Sequence, residues 1–192
     1  MSRVSTESVG DFCQHYPKIA TIVTVSAGGK KNAMAVAWHS SVSREPPLYG
    51  VSIATKRFTY RLILESNEFG VNFVPFEAAE LIASVGGSGG EIIDKFQEFG
   101  IAEEKPLKTS VPILKDAYAA YECKLVDRRA YGDHAWVVGE IVAVHFADDA
   151  FTDKGVVDLG KVSPALYLGA ELYATTDKES VRLLDRETYG RS

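Results

Sequence analysis

Residues 32–59, NAMAVAWHSSVSREPPLYGVSIATKRFT, decide how this chain folds. They hold two apolar, β-prone runs, Ala33 to Val42 and Leu48 to Ala54, separated by the break Arg44-Glu45-Pro46-Pro47. The second run ends in Thr55-Lys56-Arg57. From Thr59 a short helix is expected over Tyr60 to Glu65, with Tyr60, Ile63 and Leu64 at helical spacing. A strand that delivers Lys56, Arg57 and the Thr59 hydroxyl to a helix start suits a phosphate. Free backbone N–H groups and the positive end of the helix dipole meet there, and a guanidinium can grip two oxygens at once. The same residues also fit a plain strand end, with solvated cations and Thr59 as an N-cap.

Upstream of this stretch, Lys18 to Val25 is rich in β-branched residues and closes in Ala27-Gly28-Gly29-Lys30-Lys31-Asn32, so the Ala33 run reads as the returning strand of a hairpin. Ala33, Ala35 and Ala37 leave room beside that strand, either for tight core packing or for a flat ligand. Downstream, Phe69 to Val74 alternates like a strand that Pro75 stops. Ala78, Leu81, Ile82 and Val85 give one apolar helix face, ended by Gly86-Gly87-Ser88-Gly89-Gly90, which reads as a helix stop and loop because it matches no phosphate-loop spacing. A further helix is expected over Glu91 to Phe99. Period two returns from Ala119, Asp127 to Asp133 is expected to turn, and His134 to Phe146 is a long strand in which Gly139 marks a bulge or a close approach. Strands early and late, with helices grouped between them, argue for an antiparallel barrel with appended helices over a parallel doubly wound sheet.

Composition excludes several classes. Of 192 residues, 46% are hydrophobic and 24% charged, an ordinary globular balance for one domain. The net charge of −5 and the absence of any basic block argue against nucleic acid as a partner. Cys13 and Cys123 stand far apart without a Cys-x-x-Cys, as expected of reduced thiols. The first 12 residues lack a signal-peptide core and no run is long enough to span a membrane, so a cytoplasmic protein is expected. His15, His39, His134 and His145 show no metal-ligand spacing, and no metal is expected. Trp38 and Trp136 read as core or interface aromatics.

A set of short pieces in order resembles the flavin reductase-like family, whose members are FMN-binding split barrels. They are Asn32-Ala33-Met34-Ala35, Ser40-Ser41-Val42-Ser43, Pro46-Pro47, Ser52-Ile53-Ala54 through Thr59, Phe69-Gly70-Val71-Asn72, Asp94-Lys95-Phe96, Gly132-Asp133-His134, Gly139-Glu140 and Pro164 to Gly169. The resemblance implies a mainly β chain with appended helices, a six-stranded antiparallel split β-barrel over about residues 15–170 of a single domain 1–192, with a charged tail over about 176–192. It further implies a homodimer with non-covalent FMN near the interface, reduced by NADH or NADPH. Met34, Ala35, Val36, Ser40 and Ser41 would line the isoalloxazine, with His39 at the flavin or the dimer partner. Ser52, Ile53 and Ala54 would follow the ribityl chain, and Lys56, Arg57 and Thr59 would hold the phosphate. His134 would stand near the nicotinamide, although a histidine at a turn also reads as a surface residue. The activity expected is an NAD(P)H-dependent FMN reductase, as the reducing partner of a monooxygenase or other acceptor. A flavoredoxin-like carrier fed by a protein, or a flavin-binding module without turnover, are the alternatives. Since hydride chemistry belongs to the flavin, no acid–base pair or nucleophile need stand out.

Overall fold

The computed structural model describes residues 2–10, 17–185 and 188. In chain order the elements are β1 (Lys18–Ile19), β2 (Thr21–Ala27), β3 (Lys30–Val36), β4 (His39–Arg44), β5 (Pro47–Ala54), α1 (Phe58–Ser66), β6 (Glu68–Phe73), α2 (Ala79–Gly87), α3 (Lys95–Glu98), β7 (Glu103–Glu104), β8 (Ile113–Leu114), β9 (Ala119–Tyr131), β10 (His134–Phe146), β11 (Leu166–Gly169) and β12 (Leu172–Ala174). The main sheet is antiparallel in the order β3-β2-β6-β9-β10-β5-β4, and it forms a split barrel.

That sheet has seven strands, where six are expected, because the Ala33 to Val42 run is not one strand. It breaks at Ala37-Trp38. β3 pairs with β2 (Ala33 opposite Thr24), whereas β4 pairs with β5 (His39 opposite Val51), so two consecutive strands occupy opposite edges of the sheet. The sheet curls to bring those edges together, and the Ser52 N–H of β5 donates to the Trp38 carbonyl at the crossing, 2.8 Å away. The cleft described below opens along this seam.

β2 is buried on both faces, which explains its continuous apolar run. Val23 and Val25 join Val51, Ile53, Phe69, Val71 and Val137 inside the barrel, along with Leu62 and Ile63 of α1. Ile22 lies on the other side with Ala33, Val74, and Ile82 and Val85 of α2. Each of these Val, Leu, Ile and Phe side chains contributes roughly 1.5–3 kcal/mol by leaving water. Two buried polar side chains are well paired: Asn72 donates through Nδ2 to the Ile22 carbonyl and accepts at Oδ1 from the Leu114 N–H. Glu122, fully buried, accepts from the Leu107, Lys108 and Thr109 N–H groups and from the Thr109 hydroxyl, and His145 lies 2.7 Å away.

Other expectations are corrected locally. The helix expected over 91–99 is only Lys95–Glu98, because Asp94 caps it, Oδ1 accepting from the Phe96 and Gln97 N–H groups; Ile92 is exposed. Asp127 to Tyr131 continues β9, and only Gly132-Asp133 turns. Gly139 does sit at a register shift, and a Cβ there would lie 2.6 Å from the Phe69 ring and 2.7 Å from Cys123 Cβ. Cys13, His15 and most of the tail beyond 185 lie outside the described residues. No helix among the described residues is long and apolar enough to cross a membrane.

Candidate functional site

Three adjoining pockets form one cleft around β3, and Gly86, near the end of α2, lines all of them. A Cβ on Gly86 would come within 3.1 Å of Ala35 Cβ, so this glycine lets the helix end approach the strand.

The first pocket, of about 170 Å³, lies at the start of α1 between Asn32, Arg57, Thr59, Gly90 and Lys95. The helix begins at Phe58 with Arg57 as N-cap, not at Thr59. Thr59 is therefore inside the first turn, buried, and its hydroxyl accepts from Asn32 Nδ2 at 2.8 Å. The Phe58 and Thr59 N–H groups, first in the helix, have no intrahelical acceptor by geometry. Lys95 is buried, and its ammonium donates to the Ala33 carbonyl at 2.8 Å and the Val85 carbonyl at 2.6 Å. Burial, and then the nearby Arg57 guanidinium, bring its pKa down to about 8. Among the described residues no carboxylate forms an ion pair with Lys56, Arg57 or Lys95. Glu91, the one acid in this pocket's wall, is paired with Arg61. Asn32 Oδ1 is buried without a hydrogen-bond partner. A Cβ on Gly90 would fall 2.1 Å from it, so the 86–90 segment packs directly on this amide. A cation set that forms no ion pair among the described residues, at a helix N-terminus, fits a bound phosphate.

The second pocket, of about 380 Å³, runs along Met34 to Trp38 with Ser52, Ala54, Lys56, Arg57, Asp133 and His134. His134 opens β10 opposite Ala54. Its Nδ1 lies 2.8 Å from Asp133 Oδ1, and its ring is 5.0 Å from Trp38 at a 40° tilt. The hydrogen bond to His134 holds the Asp133 carboxyl below its usual range. The third pocket, of about 460 Å³, lies across Ala35 to Ala37 against α2, Tyr167, Glu171 and Tyr173.

The structure thus brings Met34, Ala35, Val36, Ser52, Ala54, Lys56, Arg57, Thr59 and His134 to one cleft. The Ile53 side chain is in the barrel core. Ser40 and Ser41 are exposed on β4, away from these pockets. His39 bridges the Ile19 carbonyl at 2.8 Å and the Tyr49 hydroxyl at 2.6 Å. Burial lowers its pKa, so Nε2–H donates to Ile19 and Nδ1 accepts from Tyr49. Asn32, Trp38, Gly86, Lys95 and Asp133 line the cleft without having been named as site residues. Asn32 and Lys95 stand in the very pieces that carry the family resemblance, but nothing in their spacing shows that a lysine 63 positions from Asn32 reaches the same pocket.

The chain belongs to the flavin reductase like domain family, whose match spans residues 13–176. An uncharacterized protein of Aeropyrum pernix is 33% identical over 155 residues, covering 80% of this chain and 58% of its own length, so the chain spans little more than half of that relative. The crystal structure of an FMN-binding protein from Thermus thermophilus with bound 1-cyclohex-2-enone superposes with a TM-score of 0.84 at 33% identity, over 95% of this chain and 99% of that one. A flavoredoxin of Desulfovibrio vulgaris (Miyazaki F) has a TM-score of 0.83 over 97% of this chain and 100% of its own, but at 24% identity it shares the fold alone.

Proposed function

We propose that this protein binds FMN non-covalently in the cleft around β3 and carries hydride from NADH or NADPH through it to an acceptor, as a flavin reductase. The observation that carries the reading is the cation set Lys56, Arg57 and buried Lys95 at the start of α1, which forms no carboxylate ion pair among the described residues. Arg57 and Lys95 would hold the phosphate with the first N–H groups of α1. Turning the Asn32 carboxamide over would let Thr59 donate to its oxygen and point its NH₂ at the anion, removing the orphaned acceptor. Ser52 and the Met34 to Val36 backbone would position the ring in the second pocket. FMN, when bound, supplies the two-electron hydride chemistry itself. The chain's part is to orient the ring and exclude water. His134, fixed through Nδ1 by Asp133, leaves Nε2 to hydrogen-bond the donor nucleotide or hold a proton beside it. FMN binding by the Thermus protein supports this assignment.

The visible absorption spectrum after FMN addition, followed by anaerobic NADH and then NADPH, tests it. Bound flavin that bleaches with one nucleotide is expected and names the donor. Bound flavin that neither reduces would replace the reductase with a protein-fed carrier, and failure to bind FMN would sink the assignment.

The same reading includes a homodimer. FMN lies near its interface in that reading, and Trp38 in the second pocket and Val42 on β4, 36% and 48% exposed, would be covered by a second copy. Sedimentation velocity should give twice the chain mass, and a monomer across micromolar concentrations would refute it.

A further inference from the structure

A pocket of about 390 Å³ opens between the β7–β8 ribbon and the end of β10, and it shares no lining residue with the three pockets around β3. Its floor is apolar, with Ile113, Leu114 and Ala120 buried, and Phe146 at its edge is 61% exposed. Three of its lining residues are polar: Glu104, Lys115 and His145. His145 is fixed from behind. Its Nε2 lies 2.7 Å from Oε1 of the fully buried Glu122, which the Leu107, Lys108 and Thr109 N–H groups hold in turn. Hydrogen bonds keep Glu122 a carboxylate, which can only accept, so Nε2 carries the hydrogen and Nδ1 of the neutral ring is an acceptor. Among the described residues Nδ1 has no hydrogen-bond partner, and the side chain keeps 18% exposure in the pocket wall. Glu104 and Lys115 stand opposite in charge on one face of the ribbon. Glu104 pairs with Ile113, and the Lys115 N–H donates to the Ala102 carbonyl at 3.0 Å, so the two charges are diagonal neighbours. Neither forms an ion pair among the described residues, although the adjacent Glu103 is paired with Lys31. The pocket thus presents two acceptors and one cation, held apart, over an apolar floor.

We propose that this pocket binds a small zwitterion, an α-amino acid with an apolar side chain. Its ammonium donates to the Glu104 carboxylate and to His145 Nδ1, its carboxylate accepts from Lys115, and its side chain lies on Ile113 and Leu114 beside Phe146. A plain anion would leave both acceptors without a donor, and a plain cation would leave Lys115 without an acceptor. Only a ligand with both charges satisfies all three groups. No residue of the flavin cleft takes part, so this inference stands or falls apart from the flavin reading.

Titration of the full-length ¹⁵N-labelled protein with leucine, methionine and phenylalanine, followed by amide chemical shifts, tests this. At least one should bind saturably, moving the amides of Leu114 to Ala117 and Val144 to Ala147 and leaving those of Met34 to Val36 in place. The tightest of the three is then compared with its decarboxylated and deaminated analogues. Loss of the ammonium should weaken binding by about tenfold, the scale of a charged hydrogen bond, and loss of the carboxylate by about threefold, because Lys115 is exposed. Glu104→Gln, also at an exposed position, should weaken the amino acid by about threefold while leaving the deaminated analogue unchanged. Lys115→Met should weaken the amino acid and leave the decarboxylated analogue unchanged. No saturable binding by any of the three, shifts centred on Met34 to Val36, or an analogue that binds as tightly as the amino acid would overturn the proposal. So would an affinity indifferent to both Glu104→Gln and Lys115→Met.

Discussion

Lys95 lies buried with two carbonyl oxygens against its ammonium and, among the described residues, no carboxylate ion pair, so its charge is best satisfied by an anion brought from outside. Because burial holds its pKa near 8, the flavin-free protein has a charged Lys95 below that pH and a neutral one above it. A bound phosphate favours the charged form. FMN affinity is therefore expected to be flat below about pH 8 and to fall above it by up to tenfold per unit, with uptake of one proton. Lys95→Met should remove that pH dependence and weaken binding by about 10- to 100-fold, the loss of a charged hydrogen-bonding partner. Fluorescence titration across pH 6.5–9.5 reads both, and a Lys95→Met profile that still declines above pH 8 would assign the proton elsewhere. Glu122 shows the opposite sign. Burial acts to raise its pKa but is outweighed by hydrogen bonds from the Leu107 N–H, His145, the Lys108 N–H and Thr109, which bring it to about 2. Its contribution to stability is fully present above the unfolded-state value of 4.5 and is lost as pH falls toward 2. Glu122→Gln should cost on the order of 3 kcal/mol at pH 7, by urea denaturation, with the difference from wild type shrinking by pH 3. A pH-independent difference would mean that the loss is one of packing.

Elements were legible where a short-range signal dominates. The proline break between β4 and β5, the hairpin before β3 and the Gly139 irregularity all follow from residues that restrict the backbone locally. Gly139→Ala should destabilise by about 1–3 kcal/mol, because the added methyl meets Phe69 and Cys123 in a packed core. A neutral effect in urea denaturation would show that the bulge, not the close approach, sets this position. Illegible were features decided by distant pairing. The Ala33 to Val42 run is β-prone throughout, and it splits at Ala37-Trp38 because each half has a different neighbour. The apolar spacing of Ile92, Phe96 and Phe99 suggests a longer helix, but only Phe96 and Phe99 find the second core cluster, and the Asp94 cap starts the helix after Ile92. His39 reads as a ligand candidate by its place in the stretch; Tyr49 and Ile19 instead occupy both its nitrogens.

Across the whole molecule, charge is placed against the average. The chain carries a net −5, yet its main cleft begins in a cluster of Lys56, Arg57 and Lys95 that forms no ion pair among the described residues, and ends at Glu171. Long-range steering of an anionic ligand is weak under such a balance, so affinity must come from contacts inside the cleft. The curled sheet supplies the geometry by bringing β3, β5, α1 and α2 to one seam, so cations and small residues far apart in the chain face each other. The most direct test of this account compares the affinity of the wild-type protein for FMN with that for riboflavin, which lacks the phosphate, and repeats the comparison for Arg57→Ala. A phosphate held by this cluster predicts an FMN preference of about 100-fold or more, with Arg57→Ala removing about 1.5–3 kcal/mol of it and leaving riboflavin binding unchanged. Equal affinity for the two ligands would contradict the assignment of the cation pocket, and with it the proposed placement of the flavin.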